Sequence, residues 1–549
     1  MSVILFILTY LLLILSIIGY GFFFSTKCTN YNKNTSIGYM GIYGIFILTL
    51  ISYLTNLFLP HNFNHNLVIL IVGIYFFFKY FTENKKLKNF TDKKYLIFFL
   101  ALSLFAIFFS KNHDDFPYYH LSFIHNITLN KVEFGLGNFD LAYNHVSSLF
   151  FFHSLFKLPF TGDYFYFIGP VSILVFVNII LIKNIFQINK NRYFNFNNFL
   201  SLFIFLFINS FFYRLAEHGT DRSAMILIFL MIFIMFQILE SKILDKSKLE
   251  NFIILLTLII SIKAFYAIYA ALFLIIYFKF YSLKKISNFL NNYKIIYFSI
   301  IFCFLILFYN IVYTGCLIYP VTATCFESFY WAMDMSRIES AMNWYELWSK
   351  AGATPTYRVE NPIDYIAGFN WVQNWVNNYF FNKVSDTTLG LLFVISITLI
   401  FFKPKKFIFK YSKEFNIIFI SLLIYFFEWF YHHPSLRYGG FHLLALLIFI
   451  PTSIYLSSNN FIYNKNIKKI KILFTIGIIV FVFRNIDRII KEVEIYKYEP
   501  IKSPQYNIQP DFYKLQRAKN EIFLKTNNCL KKFEKNRNCK VIKGYTIFF

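Results

Sequence analysis

Residues 3–24 read VILFILTYLLLILSIIGYGFFF, an apolar run without a single charged side chain. A helix needs about 20 such residues to cross the hydrocarbon core of a bilayer. The run has no basic segment before it and no small-residue cleavage site, so we interpret it as a membrane-spanning helix rather than a signal peptide.

Similar runs recur along the whole chain of 549 residues, which is 57% hydrophobic and only 15% charged, with a mean hydropathy of +0.52. A soluble protein of this size would need a more polar surface. The pattern predicts an all-α polytopic bundle with about 13–14 spans. The predicted spans lie near 3–24, 37–59, 67–82, 95–110, 163–185, 197–213, 222–240, 250–262, 264–280, 295–314, 386–402, 415–431, 438–457 and 470–485.

Short basic loops set the predicted orientation, because Lys and Arg concentrate on the cytoplasmic side of a membrane. Alternation of the spans places six basic clusters on one side. They begin at Lys85, Lys183, Lys242, Lys284, Lys403 and Lys465. The net charge of +25 then suits anionic lipid headgroups and does not favour nucleic acid as a partner. We expect a bacterial inner (plasma) membrane.

The predicted periplasmic face receives two long loops, 111–162 and 315–385. We take 1–490 as the membrane domain and 491–549 as a tail on the same face, although Arg484, Arg488 and Lys491 after the last span argue for the other side. Cys529 and Cys539 could form a disulfide in an oxidising compartment or remain unpaired thiols.

The first long loop opens with HDDFPYYH, residues 113–120. The carboxylates of Asp114 and Asp115 follow directly after a span, at a depth where unpaired acids are costly. One could act as a general base toward a hydroxyl, or the pair could hold a divalent cation. The alternative is a solvated helix end with ordinary surface acids.

Further along this loop, NHVSS at residues 144–148 precedes an apolar stretch, 145–160, that is too short to span. We expect an interfacial helix there. Asn144, Ser147 and Ser148 at its start could meet an anion or simply cap the helix.

Two more charged segments lie at the predicted outer ends of spans. A short turn is dense in ionisable residues, which could form a salt-bridged turn: Arg214, Glu217, His218, Asp221 and Arg222. Lys263 stands between two apolar runs, where it could neutralise a phosphate or extend toward lipid headgroups.

The second long loop contains five of the six Trp residues. Trp rings beside acids and amides suit the stacking and hydrogen bonding of a sugar, although a packed subdomain or an interfacial aromatic belt would use the same residues. The late turn WFYHHPSLRYGG, residues 429–440, carries Arg437, whose planar fork suits phosphate but which could instead extend toward lipid headgroups.

In this order, DDFPYYHL, GLGN, NHVSS, TGCLIYP and HPSLRYGG resemble a group of bacterial multi-spanning proteins within the GT-C superfamily of membrane glycosyltransferases. The resemblance covers 110–160, 313–350 and 430–445. It implies a GT-C-like bundle that transfers a sugar from a polyprenyl-phosphate donor to a glycan, lipid or protein acceptor on the periplasmic face.

The resemblance also implies roles for individual residues. Asp114 or Asp115 would be the general base, with Asp115 slightly preferred, and Arg437 would hold the lipid phosphate with Lys263 and Arg222 behind it. The acids are adjacent rather than Asp-x-Asp, which puts a metal site in doubt, so no cofactor is certain and a divalent cation is only an option. The remaining candidate substrate-binding residues are His120, Tyr119, Asn144, Glu217, His218 and His433.

Three other functions compete with this one, and the dense external acids argue against one of them, a non-catalytic scaffold. A flippase or transporter of a lipid-linked glycan would place ionisable residues deep within spans along a path, whereas here they gather at the outer ends. A polymerase of surface polysaccharide would share the substrates and the face, and the sequence does not separate it from a transferase.

Overall fold

The computed structural model describes eleven stretches of the chain and the single residue 161. The stretches are 3–29, 36–83, 90–107, 115–140, 143–159, 163–187, 193–281, 292–353, 359–404, 413–496 and 539–549.

The protein is mostly helical. The α-helices are Val3–Cys28, Ile37–Asn56, Phe63–Glu83, Phe90–Ile107, Leu121–Leu129, Leu136–Phe139, Ser148–Ser154, Ile168–Ile185, Phe196–Phe211, Leu215–His218, Thr220–Leu239, Lys246–Ile262, Ala271–Phe280, Lys294–Thr314, Met335–Lys350, Pro362–Ile366, Val372–Trp375, Ser385–Phe402, Lys413–His432, Gly440–Ser457 and Tyr463–Tyr496. Short 3₁₀ turns (Asp163–Phe167, Ala264–Ala270, Thr322–Thr324, Leu436–Tyr438) and π turns (Phe116–His120, Val376–Val384) join or extend them.

Each of the fourteen predicted spans coincides with helical structure. In the described part of the chain, nine helices are long and apolar enough to cross a membrane. The other five predicted spans fall short of that standard because they are shorter or carry more charged residues. They are Phe90–Ile107, Phe196–Phe211, Lys246–Ile262, Ala264–Phe280 and Tyr463–Tyr496.

Contacts at the helix ends define two opposite faces. At one end, the Phe194 amide donates to the Phe461 carbonyl at 2.9 Å and Lys183 pairs with Asp92 at 2.9 Å; we call this the basic face. At the other end, Arg484 Nη1 donates to the Ser210 carbonyl at 2.8 Å. The Phe196–Phe211 and Tyr463–Tyr496 helices therefore run side by side from the basic face to the other, which we call the loop face.

The first helices pack almost backbone to backbone. A Cβ on Gly44 would lie 1.8 Å from the carbonyl oxygen of Ile17, and one on Gly21 would lie 1.8 Å from that of Met40. Small residues permit this close approach between helices in a membrane. Glycine at these two positions fixes how the first two helices meet.

The described residues within 115–167, 315–384 and 433–439 form most of the loop face. Asn138 Nδ2 donates to the Trp331 carbonyl at 3.0 Å, and Trp375 Nε1 donates to that of Pro434 at 2.9 Å. A disulfide joins Cys316 to Cys325. The two long loops and the late turn therefore pack on one another.

The predicted interfacial helix at 145–160 differs from the structure. Of the described residues in this stretch, only Ser148–Ser154 is α-helical, and all seven of its residues are buried in the protein. Phe151 stacks on Tyr53 with ring centroids 3.9 Å apart, so aromatic packing against a membrane helix replaces contact with the bilayer surface.

The all-α prediction also misses a small β-hairpin at the end of the chain. Strands β1 (Cys539–Ile542) and β2 (Tyr545–Phe548) pair antiparallel around Lys543 and Gly544, which have φ of 49° and 78°. Two consecutive residues with positive φ match the twist of a tight hairpin.

This hairpin lies on the loop face. The Phe134 amide donates to the Thr546 carbonyl, and the Phe548 amide donates back to the Phe134 carbonyl, each at 2.9 Å. The end of the tail therefore shares a face with the two long loops, while the compartment which that face meets stays a prediction. Cys539 is disulfide-bonded, and Cys529 lies outside the described residues.

Candidate functional site

Arg437 lies at the centre of an ionic cluster on the loop face. It sits in the 3₁₀ turn Leu436–Tyr438, just before the Gly440–Ser457 helix. Its Nε donates to Asp221 Oδ2 at 2.9 Å and its Nη2 donates to Asp115 Oδ2 at 2.8 Å. One planar guanidinium therefore holds two carboxylates from different parts of the chain, which its fork of donors permits.

Asp221 links the two cations of the cluster. It lies in the first turn of the Thr220–Leu239 helix, and its other oxygen accepts from Lys263 Nζ. Lys263 follows the last residue of the Lys246–Ile262 helix, and its backbone is extended. The helix therefore ends at this charged residue. We call Asp115, Asp221, Lys263 and Arg437 the ionic cluster.

The members of the cluster differ in their access to solvent. The side chain of Arg437 is 33% exposed, that of Asp115 is 26% and that of Lys263 is 21%, but that of Asp221 is only 9%. Burial lowers the pKa of Lys263, while its neighbour Asp221 opposes that change. A ligand can therefore reach three of the charged groups, and Asp221 lies beneath them.

Aromatic rings enclose the cations. The Arg437 guanidinium lies 5.6 Å from the centre of the Trp348 ring, and Lys263 Nζ lies 4.4 Å from that of Tyr438. Such rings attract cations through their quadrupoles. Burial, followed by the charge of Asp115, raises the pKa of the Tyr119 hydroxyl, so this phenol stays protonated beside the cluster.

Two histidines near the cluster are uncharged at neutral pH. Burial and the charge of Lys263 lower the pKa of His145 to about 4, and its Nε2 is hydrogen-bonded to the Tyr345 hydroxyl. Burial likewise lowers the pKa of His433 to about 4, and its Nδ1 lies 3.3 Å from Ser349 Oγ. Both can therefore serve as hydrogen-bonding groups rather than as cations.

The structure brings several residues that the sequence singled out into this region. Asp115 contacts Arg437 directly, and Lys263 is linked to Arg437 through Asp221. His433 contacts the edge of the Tyr438 ring, with centroids 5.7 Å apart, and the Tyr119 ring lies 6.1 Å from that of His145.

Other singled-out residues lie elsewhere. His120 is buried against Phe150, with ring centroids 4.9 Å apart. Asn144 is buried and its Nδ2 donates to the Tyr319 hydroxyl at 3.2 Å. Arg222 lies over the ring of Phe212 at 5.6 Å. Asp114 and the side chains of Glu217 and His218 lie outside the described residues.

Ser147 and Ser148 neither cap the short helix nor reach the cluster. Ser147 Oγ donates to the Ile262 carbonyl at 2.8 Å, and Ser148 Oγ accepts from Ser261 Oγ at 2.8 Å. These bonds tie the first long loop to the residues just before Lys263, so both serines help to position that cation.

The sequence did not single out five residues that complete the site: Asp221 as a central member, Trp348, Tyr438, His145 and Tyr345. Asp221 belonged to the dense charged turn, and that density was its only signal. Trp348 was one Trp among five in its loop. Their proximity to Arg437 depends on how distant helices pack.

The described residues of the site do not form a metal-binding group. No group of three or more His, Cys, Asp or Glu side chains is placed to hold one among the residues that the structure describes. Asp115 and Asp221 are instead bridged by the Arg437 guanidinium, which already supplies a positive charge between them.

The fold and the cluster define a helical protein in which nine helices of the described part are long and apolar enough to cross a membrane, with a charged site at helix ends on the loop face. The chain belongs to the family described as a domain of unknown function, DUF8201, whose model matches residues 1–444. The match includes every member of the ionic cluster. Neither the curated proteins nor the solved structures contain a match to the chain.

Proposed function

We propose that this protein is a membrane glycosyltransferase that moves a sugar from a polyprenyl-phosphate donor to an acceptor hydroxyl on the periplasmic face. One observation carries the proposal: two cations and two carboxylates from four separate segments meet at the ends of helices on the loop face. A lipid phosphate remains at the membrane interface while its sugar projects into water, so charges that act on the bond between them must lie near the ends of spans.

Asp115 is the best-placed general base of the described residues. Its side chain is 26% exposed, whereas that of Asp221 is 9% exposed and contacts both Arg437 and Lys263. A carboxylate held by two cations is a weaker base, because both cations favour its charged form. We therefore assign proton removal to Asp115 and the positioning of the cations to Asp221.

Arg437 and Lys263 are suited to the donor phosphate. A guanidinium has five N–H donors, and Arg437 gives two of them to Asp115 and Asp221 among the described residues. The remaining edge can bind phosphate oxygens. The ammonium of Lys263, which is 21% exposed, adds a second positive charge beside it.

The proposed reaction is a single displacement at the anomeric carbon. Asp115 takes the proton of the acceptor hydroxyl as its oxygen forms a bond to that carbon, and the bond from the carbon to the phosphate oxygen breaks. The electron pair leaves with polyprenyl phosphate, whose developing charge Arg437 and Lys263 stabilise. The configuration of the sugar is inverted.

The Trp loop suits the sugar. Trp348 lies beside the Arg437 guanidinium, and the Trp344 ring lies 6.3 Å from that of Trp348 with its plane tilted by 25°. Trp344 is 53% exposed. Roughly parallel indole faces that lead away from a phosphate site can stack on the C–H faces of a sugar.

A flippase or polymerase of a lipid-linked glycan remains the alternative. The charged contacts of the ionic cluster gather on one face rather than along a path through the spans, and this favours the transferase. A polymerase would use the same cluster and would extend a glycan repeatedly, so product length separates the two enzymes.

The test uses the purified full chain in proteoliposomes, with a panel of radiolabelled polyprenyl-phosphate sugars and a membrane extract as acceptor. We expect sugar transfer that Asp115→Asn lowers by about 10²–10⁴-fold, with unchanged folding by thermal melt. Glu339→Gln, on an exposed face of the same loop surface, is the matched control.

Two results would contradict the proposal. One is full activity of Asp115→Asn, and the other is no transfer by the wild-type chain from any donor of the panel. Translocation of a fluorescent lipid-linked glycan across the liposome without any bond change would support the flippase instead.

A further inference from the structure

A second candidate site lies between three helices and shares no residue with the ionic cluster. A cavity of about 190 Å³ separates the Phe196–Phe211, Ser385–Phe402 and Tyr463–Tyr496 helices. Its walls are apolar and include Leu206, Val394 and Leu473, and Arg484 lies at its rim. We call this cavity the Arg484 groove.

Glycines deepen the groove. Gly390 and Gly477 both line it, and a Cβ on Gly390 would lie 2.5 Å from Cζ of Phe211. A side chain at either position would occupy the space between the helices. Phe393 on the rim is 64% exposed, so the groove opens outward between helices rather than into the protein core.

Arg484 provides a positive charge at the loop-face end of the groove. Its Nη1 donates to the Ser210 carbonyl at 2.8 Å, and its guanidinium lies 4.3 Å from the centre of the Tyr213 ring. Neither contact neutralises the charge, and no carboxylate contacts Arg484 in the described part of the chain. The next acid on the helix, Asp487, pairs with Lys491 at 2.7 Å.

We propose that the Arg484 groove binds an anionic phospholipid of the bilayer, with one acyl chain between the helices and the phosphate at Arg484. Acyl chains of lipids are the apolar groups that surround a membrane-spanning helix. The groove has an apolar wall that ends at the cation Arg484, so it complements an acyl chain joined to a phosphate. This inference is independent of the proposed transferase activity.

A chain of contacts connects the groove to the ionic cluster. Phe212, two residues after Ser210, packs edge-to-face against Phe441 with centroids 5.6 Å apart, and Arg222 covers both rings. Arg222 follows Asp221 directly. A bound phospholipid would therefore brace the segment 210–222 from the side that faces the bilayer.

Native mass spectrometry of the full chain in nanodiscs tests the proposal, with dioleoylphosphatidylglycerol and dioleoylphosphatidylcholine as probes. We expect preferential retention of phosphatidylglycerol. Arg484→Gln should weaken this binding by about fivefold, as for one cation near a lipid phosphate. Val480→Phe, which fills the groove one turn below Arg484 and keeps the charge, should reduce it as well.

Lys471→Gln is the matched control, because it removes one exposed cation from the basic end of the same helix; it should leave retention unchanged. Equal retention of the two lipids, or unchanged binding by both groove variants with native melting temperatures, would overturn the proposal. Undecaprenyl phosphate is the third probe. If it displaces phosphatidylglycerol at a tenfold lower concentration, the groove is a carrier-lipid site and the proposal is wrong.

Discussion

Arg437 Nη2 lies 2.8 Å from Asp115 Oδ2, and this ion pair joins two segments that are 322 positions apart in the chain. The same guanidinium reaches Asp221 through Nε. The late turn thereby holds the start of the first long loop and the start of the Thr220–Leu239 helix together. A change at Arg437 should affect both the geometry of the site and its charge.

The shape of the guanidinium matters as well as its charge. Arg437→Lys keeps one positive charge but cannot direct two N–H groups in a plane to Asp115 and Asp221. We expect sugar transfer to fall by about tenfold or more, which corresponds to one lost charge-assisted hydrogen bond. Initial rates in proteoliposomes measure this, and transfer at the wild-type rate would show that charge alone suffices.

The contact between Asp221 and Lys263 should appear as energetic coupling. Asp221→Asn leaves two neighbouring cations without their shared carboxylate, whereas Lys263→Met leaves Asp221 with Arg437. We expect the double variant to lose less free energy of unfolding than the two single variants lose together, by at least about 0.5 kcal/mol. Free energies of unfolding in mixed detergent micelles measure this coupling.

The matched comparison for that cycle is Lys491→Met, because Lys491 belongs to an exposed ion pair on the same face. Its cycle with Asp221→Asn should be additive. Equal coupling energies in the two cycles would show that the contact between Asp221 and Lys263 stabilises the protein no more than an unrelated pair of residues does.

Glu133 should make the docking of the C-terminal hairpin depend on pH. Burial raises the pKa of its carboxyl to about 8, although hydrogen bonds from Asn126 and Thr546 oppose this. The raised pKa belongs to the docked state. The stabilisation that Glu133 adds to docking is therefore complete below the ordinary pKa of its carboxyl, about 4.5, and is lost as the pH rises through about 8.

Hydrogen exchange of residues 539–549 measures this effect. We expect the protection factor, after correction for intrinsic exchange, to fall by up to about tenfold per pH unit between about 4.5 and 8. Glu133→Gln should flatten the dependence because the amide does not titrate. A dependence that persists in this variant would assign the titration to another group.

The Cys316–Cys325 disulfide should stabilise the second long loop. It closes a short loop, and its removal in Cys316→Ser/Cys325→Ser should cost about 2–4 kcal/mol of local stability. Limited proteolysis of 315–335 should become faster. Cys28 and Cys303, which are free thiols, offer the control, since Cys303→Ser should leave the cleavage rate unchanged.

Trp348 should contribute through its ring face. Trp348→Phe keeps an aromatic face near Arg437, whereas Trp348→Ala removes it, so transfer should fall in the order wild type, Phe, Ala. One cation–π contact corresponds to about 0.5–2 kcal/mol. Trp331 provides the structural control, because its Nε1 donates to the Ile311 carbonyl at 3.0 Å. Trp331→Phe should lower the melting temperature and leave the Michaelis constant unchanged.

The sequence alone was a good guide to the helices. Each predicted span coincides with helical structure, because hydropathy is a property of a short window and a bilayer imposes one length on every crossing. It was a poorer guide to the short segments on the loop face. The stretch 145–160 looked interfacial, yet Ser148–Ser154 is buried because its Phe rings pack on Tyr53 and Phe123.

The sequence by itself determined which residue types stand at the ends of the spans: Asp115, Lys263 and Arg437 were singled out there from local composition. Only the tertiary structure decided that they meet, and that Asp221, 216 positions before Arg437, lies between the two cations. Local patterns fix the depth of a side chain along its helix. Which helices become neighbours depends on close packing, such as the glycine contacts of the first two helices, and that packing is a property of the whole chain.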